Sequence, residues 1–84
     1  MILEVLTPEK SVFTGEVDAV NVPGKSGAFE VLNKHAAIIS TLQKGKVIIR
    51  QGGKNTEIMI ESGMIEVLDN KVTVLAESII ETED

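Results

Sequence analysis

Few residues in this chain could do chemistry, and their spacing speaks against an active site. His35 is the one histidine, and there is no cysteine. A metal centre or a nucleophile–base pair needs several groups converging on one point, so His35 reads as a surface-loop histidine. No serine stands in a nucleophile-elbow context. Gly24 and Gly27 have the spacing G-x-x-G, but the lysine–threonine end of a phosphate loop is missing, and they read as turn glycines. Glu57, Glu61 and Glu66 fall on predicted strands. A catalytic carboxylate pair needs one member placed so as to keep its proton while the other is ionised; these three read as a solvated face. Lys54 sits in a predicted turn, where a lipoyl or biotinyl carrier presents its lysine, yet its neighbours Gly53 and Asn55 do not suit that role. No catalytic residue, cofactor site or metal site is expected.

The elements that must position any surface function are strands. Short runs of Val, Ile and Leu alternate with Gly, Asn, Asp and Pro breaks. Met1–Leu6 reads as the first strand, with Val12–Thr14 and Glu16–Val22 following around Gly15. Residues 23–27 read as a turn-rich loop and Ala28–Leu32 as the next strand, ended by Asn33, Lys34 and His35. Ala36–Leu42 is apolar and fits either a strand or a short helical turn. Its first part, Ala36 to Ile39, reads as core, with an exposed partner patch as the alternative. Lys46–Gln51 and Thr56–Glu61 flank a glycine-containing loop over residues 52–55, which predicts a hairpin. Glu57 and Glu61 alternate with Ile58 and Ile60, the period-two pattern of a half-buried strand. Met64–Leu68 and Lys71–Ala76 flank Asp69-Asn70, both tolerant of the left-handed region, so a two-residue turn fits. Val72, Val74 and Ala76 then share one face. Ser78 and Glu81 have capping-box spacing, but an extended end is expected there. The fold class is all-β: a flattened sandwich or barrel of about eight to ten short strands, by the strand and turn spacing.

Composition narrows the function classes. The chain has 84 residues and reads as one domain over residues 1–77 with a short acidic tail over residues 78–84. Four of the 13 acids lie at residues 77–84, so the rest of the chain is near neutrality against 8 bases. There is no basic patch and neither Tyr nor Trp to stack on bases, which argues against nucleic acid. The apolar runs are too short to span a bilayer, so no membrane insertion is expected. No leader-like pattern opens the sequence. Phe13 and Phe29 are the only aromatics, so the core must be aliphatic. Such a small domain buries a modest share of its surface and must rest on that core, helped by a partner.

An ordered series of motifs adds a family. Thr7-Pro8-Glu9-Lys10-Ser11-Val12-Phe13-Thr14-Gly15-Glu16-Val17 is followed by Val22-Pro23-Gly24, Gly27, Phe29 and Val31-Leu32. Then come His35-Ala36, Ile39-Ser40-Thr41-Leu42 and Gly45, and late in the chain Ser62-Gly63, Ile65-Glu66-Val67, Asn70 and Val72-Thr73-Val74-Leu75-Ala76-Glu77. From Leu3 to Glu77 this succession resembles the amino-terminal domain of the F-type ATP synthase epsilon subunit, called delta in mitochondria. The resemblance implies a flattened β-sandwich of about ten strands. It implies a non-catalytic rotor subunit of the central stalk, tying the gamma subunit to the polar loops of the membrane c-ring in proton-driven ATP synthesis, peripheral to the cytoplasmic face of a bacterial inner membrane. By position it implies that Gly27, Ala28, Phe29, Glu30 and His35 approach the c-ring, and that Ser40, Thr41 and Leu42 approach gamma. The loop from Gly24 to His35 is expected to form one polar end.

The sequence departs from that family's pattern on the ring-facing loop. Glu30 stands where Gly is usual, Asn33-Lys34 where Pro-Gly is usual, and Ala37 where Pro is usual. Many members also continue into a carboxy-terminal helical hairpin, which has no counterpart in these residues; the expectation is a coupling role without that inhibitory arm. The alternative is a small β-sandwich carrier or protein-interaction module, since a fold does not fix a function.

Overall fold

The computed structural model describes residues 1–80. Ten strands follow one another: β1 (Ile2–Leu6), β2 (Ser11–Glu16), β3 (Ala19–Gly24), β4 (Gly27–Leu32), β5 (Ile38–Leu42), β6 (Gly45–Gln51), β7 (Lys54–Ile60), β8 (Gly63–Leu68), β9 (Lys71–Ala76) and β10 (Ile79–Ile80). They form one curled sheet in the order β10-β7-β6-β3-β5-β8-β9-β1-β2, with β4 paired to β3 alone. The all-β expectation holds, and the described residues contain no helix.

Strand β3 turns the sheet over on itself. Its early residues Ala19 to Asn21 pair with β6, and its last, Gly24, pairs with Leu42 of β5. This one register position joins two halves, β10-β7-β6-β3-β4 and β5-β8-β9-β1-β2. The inward side chains of both halves meet in one core, with Leu3, Val22, Ile49, Ile60, Ile65 and Val74 fully buried. The alternation expected along β9 is present: Val72, Val74 and Ala76 face the core. Both phenylalanines pack only at the rim, partly buried. No polar or charged residue is buried among the described ones. The core therefore incurs no desolvation penalty for polar side chains.

Three boundaries differ from the expectation, each for a local reason. The first half breaks at Val17-Asp18, not at Gly15, which lies inside β2. Asp18 there donates its backbone N–H to the Arg50 carbonyl while Ala19 pairs with the same residue, a bulge that re-aims the strand. The turn after β3 is only Lys25-Ser26, because Gly24 and Gly27 pair with each other. Pro23 is tolerated inside β3 because its position opposite Ala28 demands no N–H; its carbonyl turns away from β4 to accept the Gln43 amide. The β6–β7 turn is only Gly52-Gly53, both at positive φ, so Lys54 and Asn55 belong to the strand. Ile79-Ile80 pairs antiparallel with β7, so the chain is extended there as expected and no helix starts at Ser78; Glu81 lies outside the described residues. The Asp69-Asn70 turn is as expected, with φ of 51° and 63°.

Gly63 is fixed by packing. A Cβ there would lie 2.3 Å from the Leu75 carbonyl oxygen, a backbone atom that cannot step aside. Gly63→Ala is expected to destabilise the domain by about 1–3 kcal/mol, the usual cost of overpacking. Urea unfolding of the two proteins measures it; an unchanged midpoint would show that β9 can shift.

Candidate docking surfaces

The two outer faces of the sandwich differ in chemistry. On the β7-β6-β3-β4 side the exposed charges are paired across strands: Lys46 with Glu57 at 3.3 Å, and Arg50 with Glu30 at 3.1 Å. Such exposed pairs add little stability, but they leave this face close to neutral and wet. On the β5-β8-β9-β1 side the outward row nearest one end is Thr41, Met64, Leu75 and Leu6, neighbours across four strands. Ile39, Leu68 and Ile2 stand on the same outer face. Five of the six exposed large apolar residues among the described ones, Ile2, Ile39, Met64, Leu68 and Leu75, are here. A hollow of about 490 Å³ lies at the end of this face, lined by Leu6, Pro8, Thr41, Met64, Leu75 and others. Between the two ends of this face runs a row that carries Glu66 and Glu4, so the apolar set that is contiguous is the row Met64, Leu75 and Leu6. Single exposed apolar residues are ordinary, but a contiguous row beside a hollow marks an interaction site.

The residues singled out from the sequence fall in three places. Gly27 and Phe29 share a groove of about 430 Å³ with Ser40, Thr41, Ile39 and the Lys25-Ser26 turn. The stretch assigned to the c-ring and the stretch assigned to gamma thus border one groove. His35 is at the other end of β4, roughly 17 Å away by the rise of an extended strand. The loop from Gly24 to His35 is therefore not one polar end: Lys25 and Lys34 cap opposite ends of the sandwich. Thr41 is exposed, Ser40 half-buried, and Leu42 buried in the core. Ala36, Ala37 and Ile39 are exposed and Ile38 half-buried, so this stretch is mostly surface and the core reading is overturned. The reason is register: opposite Val67, Ile38 points inward, which sends Ile39 out.

The β4–β5 loop is held by side chains in place of a Pro-Gly turn. The Leu32 carbonyl accepts the His35 amide at 3.1 Å, and Lys34 takes φ of 64°. That is the geometry in which Pro-Gly is at ease, with a left-handed third residue. Lys34 adopts it at a cost of about 1 kcal/mol. Asn70 offsets this: its Oδ1 accepts the Lys34 amide at 2.7 Å and its Nδ2 donates to Asn33 Oδ1 at 2.9 Å. His35 is half-buried and its Nδ1 lies 2.7 Å from the Ala36 carbonyl oxygen. Sequence reading missed this link because Asn33 and Asn70 are far apart in the chain. Among the described residues no three His, Asp or Glu side chains come together to hold a metal.

Residues 1–82 match the family model of the ATP synthase delta/epsilon chain, β-sandwich domain. The chain belongs to this family. An ATP synthase epsilon chain of Nitratidesulfovibrio vulgaris (strain DSM 19637 / Miyazaki F) is 44% identical over 82 residues, covering 98% of this chain and 61% of that one. The epsilon chain of Leptospira borgpetersenii serovar Hardjo-bovis is 44% identical over 75 residues, covering 89% and 59%. The chain thus spans about three fifths of the length of these relatives. Two solved structures share the fold. A chain in the central stalk/c-ring structure of Tetrahymena thermophila mitochondrial ATP synthase matches with a TM-score of 0.82 at 16% identity, over 95% of this chain and 65% of that one. One in the Euglena gracilis mitochondrial ATP synthase, resolved with OSCP, F1 and c-ring, matches with a TM-score of 0.89 at 23% identity, over 95% and 52%.

Removing the Asn70 side chain while keeping its φ isolates the loop tether. Asn70→Gly is expected to speed hydrogen exchange at the Lys34 amide by about tenfold, the equivalent of one lost hydrogen bond. Unchanged exchange by NMR would mean the loop holds its own shape.

Proposed function

We propose that this chain is a non-catalytic rotor subunit of an ATP synthase central stalk, tying the gamma subunit to the polar loops of the c-ring so that proton-driven rotation reaches the catalytic head. The observation that carries it is the contrast of faces on a domain of the epsilon family: one outer face pairs its own charges, and the other ends in a contiguous apolar row, Met64, Leu75 and Leu6, beside a hollow. A part that must follow a turning shaft without slip needs a rigid body and a well-packed contact. A ten-stranded sandwich closed on an aliphatic core supplies the first. The Met64–Leu75–Leu6 row, with Thr41 and Ile39 beside it, supplies the second and is assigned to gamma, alongside Ser40 and Leu42, of which Leu42 acts from within the core. The β4 side, with Gly27, Ala28, Phe29 and Glu30 along it and His35 at its end, is assigned to the c-ring. There is no helix among the described residues long and apolar enough to cross a membrane; a peripheral place at the cytoplasmic face of a bacterial inner membrane goes with this reading.

Calorimetry with the purified gamma subunit of the same organism tests it. One-to-one binding is expected. Leu75→Asp is expected to weaken it by about thirtyfold, as loss of a central apolar anchor costs about 2 kcal/mol. Leu75 is half exposed, so the variant should fold. No binding by the folded wild-type chain would overturn the stalk reading.

A further inference from the structure

Strand β5 has one edge with almost nothing on it. Its inner edge pairs with β8 over all five residues, whereas on the other side it meets β3 at Leu42 alone. The direction of the main-chain groups follows from two bonds: the Thr41 carbonyl accepts the Lys25 amide, and the Gln43 amide donates to the Pro23 carbonyl. Residues 41 and 43 therefore turn their N–H and C=O groups away from β8. In an antiparallel ladder that direction alternates by residue, so Ile39 turns both its groups the same way. Among the described residues, the Ile39 N–H and C=O and the Thr41 N–H have no main-chain or side-chain partner. They open beside the groove that Phe29, Ser40 and the Lys25-Ser26 turn complete.

Natural sheets guard such edges with charge, proline, a bulge or short length. The other edges of this sheet are guarded. Strand β2 ends in Glu16 and has a register shift opposite it in β1, β4 carries Glu30 paired with Arg50, and β10 is two residues long. Strand β5, Ile38-Ile39-Ser40-Thr41-Leu42, has no charge and no proline. Its Ile39 is also the most exposed large apolar residue among the described ones, at 67%. An edge left open, apolar and beside a groove is a template for another strand.

We propose that β5 accepts an extended segment of the gamma subunit as an added antiparallel strand, continuing the β5-β8-β9-β1-β2 half of the sandwich. The inference rests on the stalk reading and names how that contact is made. The segment bonds twice to Ile39 and once to the Thr41 amide. It carries an apolar or β-branched side chain opposite Ile39, on the same outer face as Met64 and Leu75, and small or polar groups toward the groove. Affinity then comes from main-chain bonds, and the alternate side chains set which segment fits.

Thr41→Pro tests this, because it removes the outward N–H and keeps the carbonyl that accepts from Lys25, while holding φ at about −65°. Thr41→Ala controls for the side chain. Binding to purified gamma is expected to fall about tenfold in Thr41→Pro, the equivalent of one main-chain bond, and less than threefold in Thr41→Ala. Hydrogen exchange on the wild-type chain reads the same contact without any variant: the Ile39 and Thr41 amides should slow at least about tenfold when gamma is bound. If wild type binds gamma but these amides exchange as in the free chain, strand addition is overturned and the stalk reading stands. If wild type does not bind gamma, both fall. A dimer of this chain in sedimentation that protects the two amides, with gamma leaving them unprotected, would give the edge to a second copy and also overturn the proposal.

Discussion

The structure depends on β3 serving two layers at once. Its even residues bond to β4, and past the bulge at Asp18 its odd residues bond first to β6 and then, at Pro23, to the Gln43 amide just after β5. Val20 and Val22 meanwhile point into a core with no buried polar side chain. An aliphatic core of this kind has no hydrogen bonds to fix its register, so register must come from the ladders. The corner at β3 is where that is decided. Pro23 suits the corner because it withholds a donor where none is wanted. Gly45 suits it because a Cβ there would meet the Pro23 ring at 2.7 Å.

What was legible in the sequence was local. The period-two run from Glu57 to Ile60 and the turn at Asp69-Asn70 are properties of adjacent residues, and both were read correctly. What was not legible depends on distant partners. Gly15 looked like a break, but a glycine inside an antiparallel strand is tolerable when its neighbour across the ladder is Leu3, a core residue. Ala36 to Ile39 looked like core by composition alone, and only the pairing with β8 shows which of the two isoleucines faces out. The parallel pairing of β1 with β9 joins the two ends of the chain, and no local signal announces it. The same limit applied to the candidate surface: the sequence offered Ser40 to Leu42 as a run, whereas a strand presents alternate residues and draws its other contacts from Met64, Leu75 and Leu6.

The β4–β5 loop shows one backbone shape reached by different chemistry. Where the family resemblance leads one to expect Pro-Gly, this chain has Asn33-Lys34, yet the turn from Leu32 to His35 still closes with its third residue left-handed. Proline and glycine would favour that shape from within the loop, by limiting the unfolded chain and by permitting positive φ. Asparagine and lysine cannot, so the shape is imposed from outside, by Asn70 on the β8–β9 turn. The two turns become one unit: Asn70, at φ of 63° in its own turn, bonds across the gap to the Lys34 amide and the Asn33 side chain. A loop fixed in this way keeps its position relative to β8 and β9, whose outer face carries Met64 and Leu75. Its geometry is then tied to that face and not merely to its own two strands, which is what the proposed role of holding two partners in fixed relation requires.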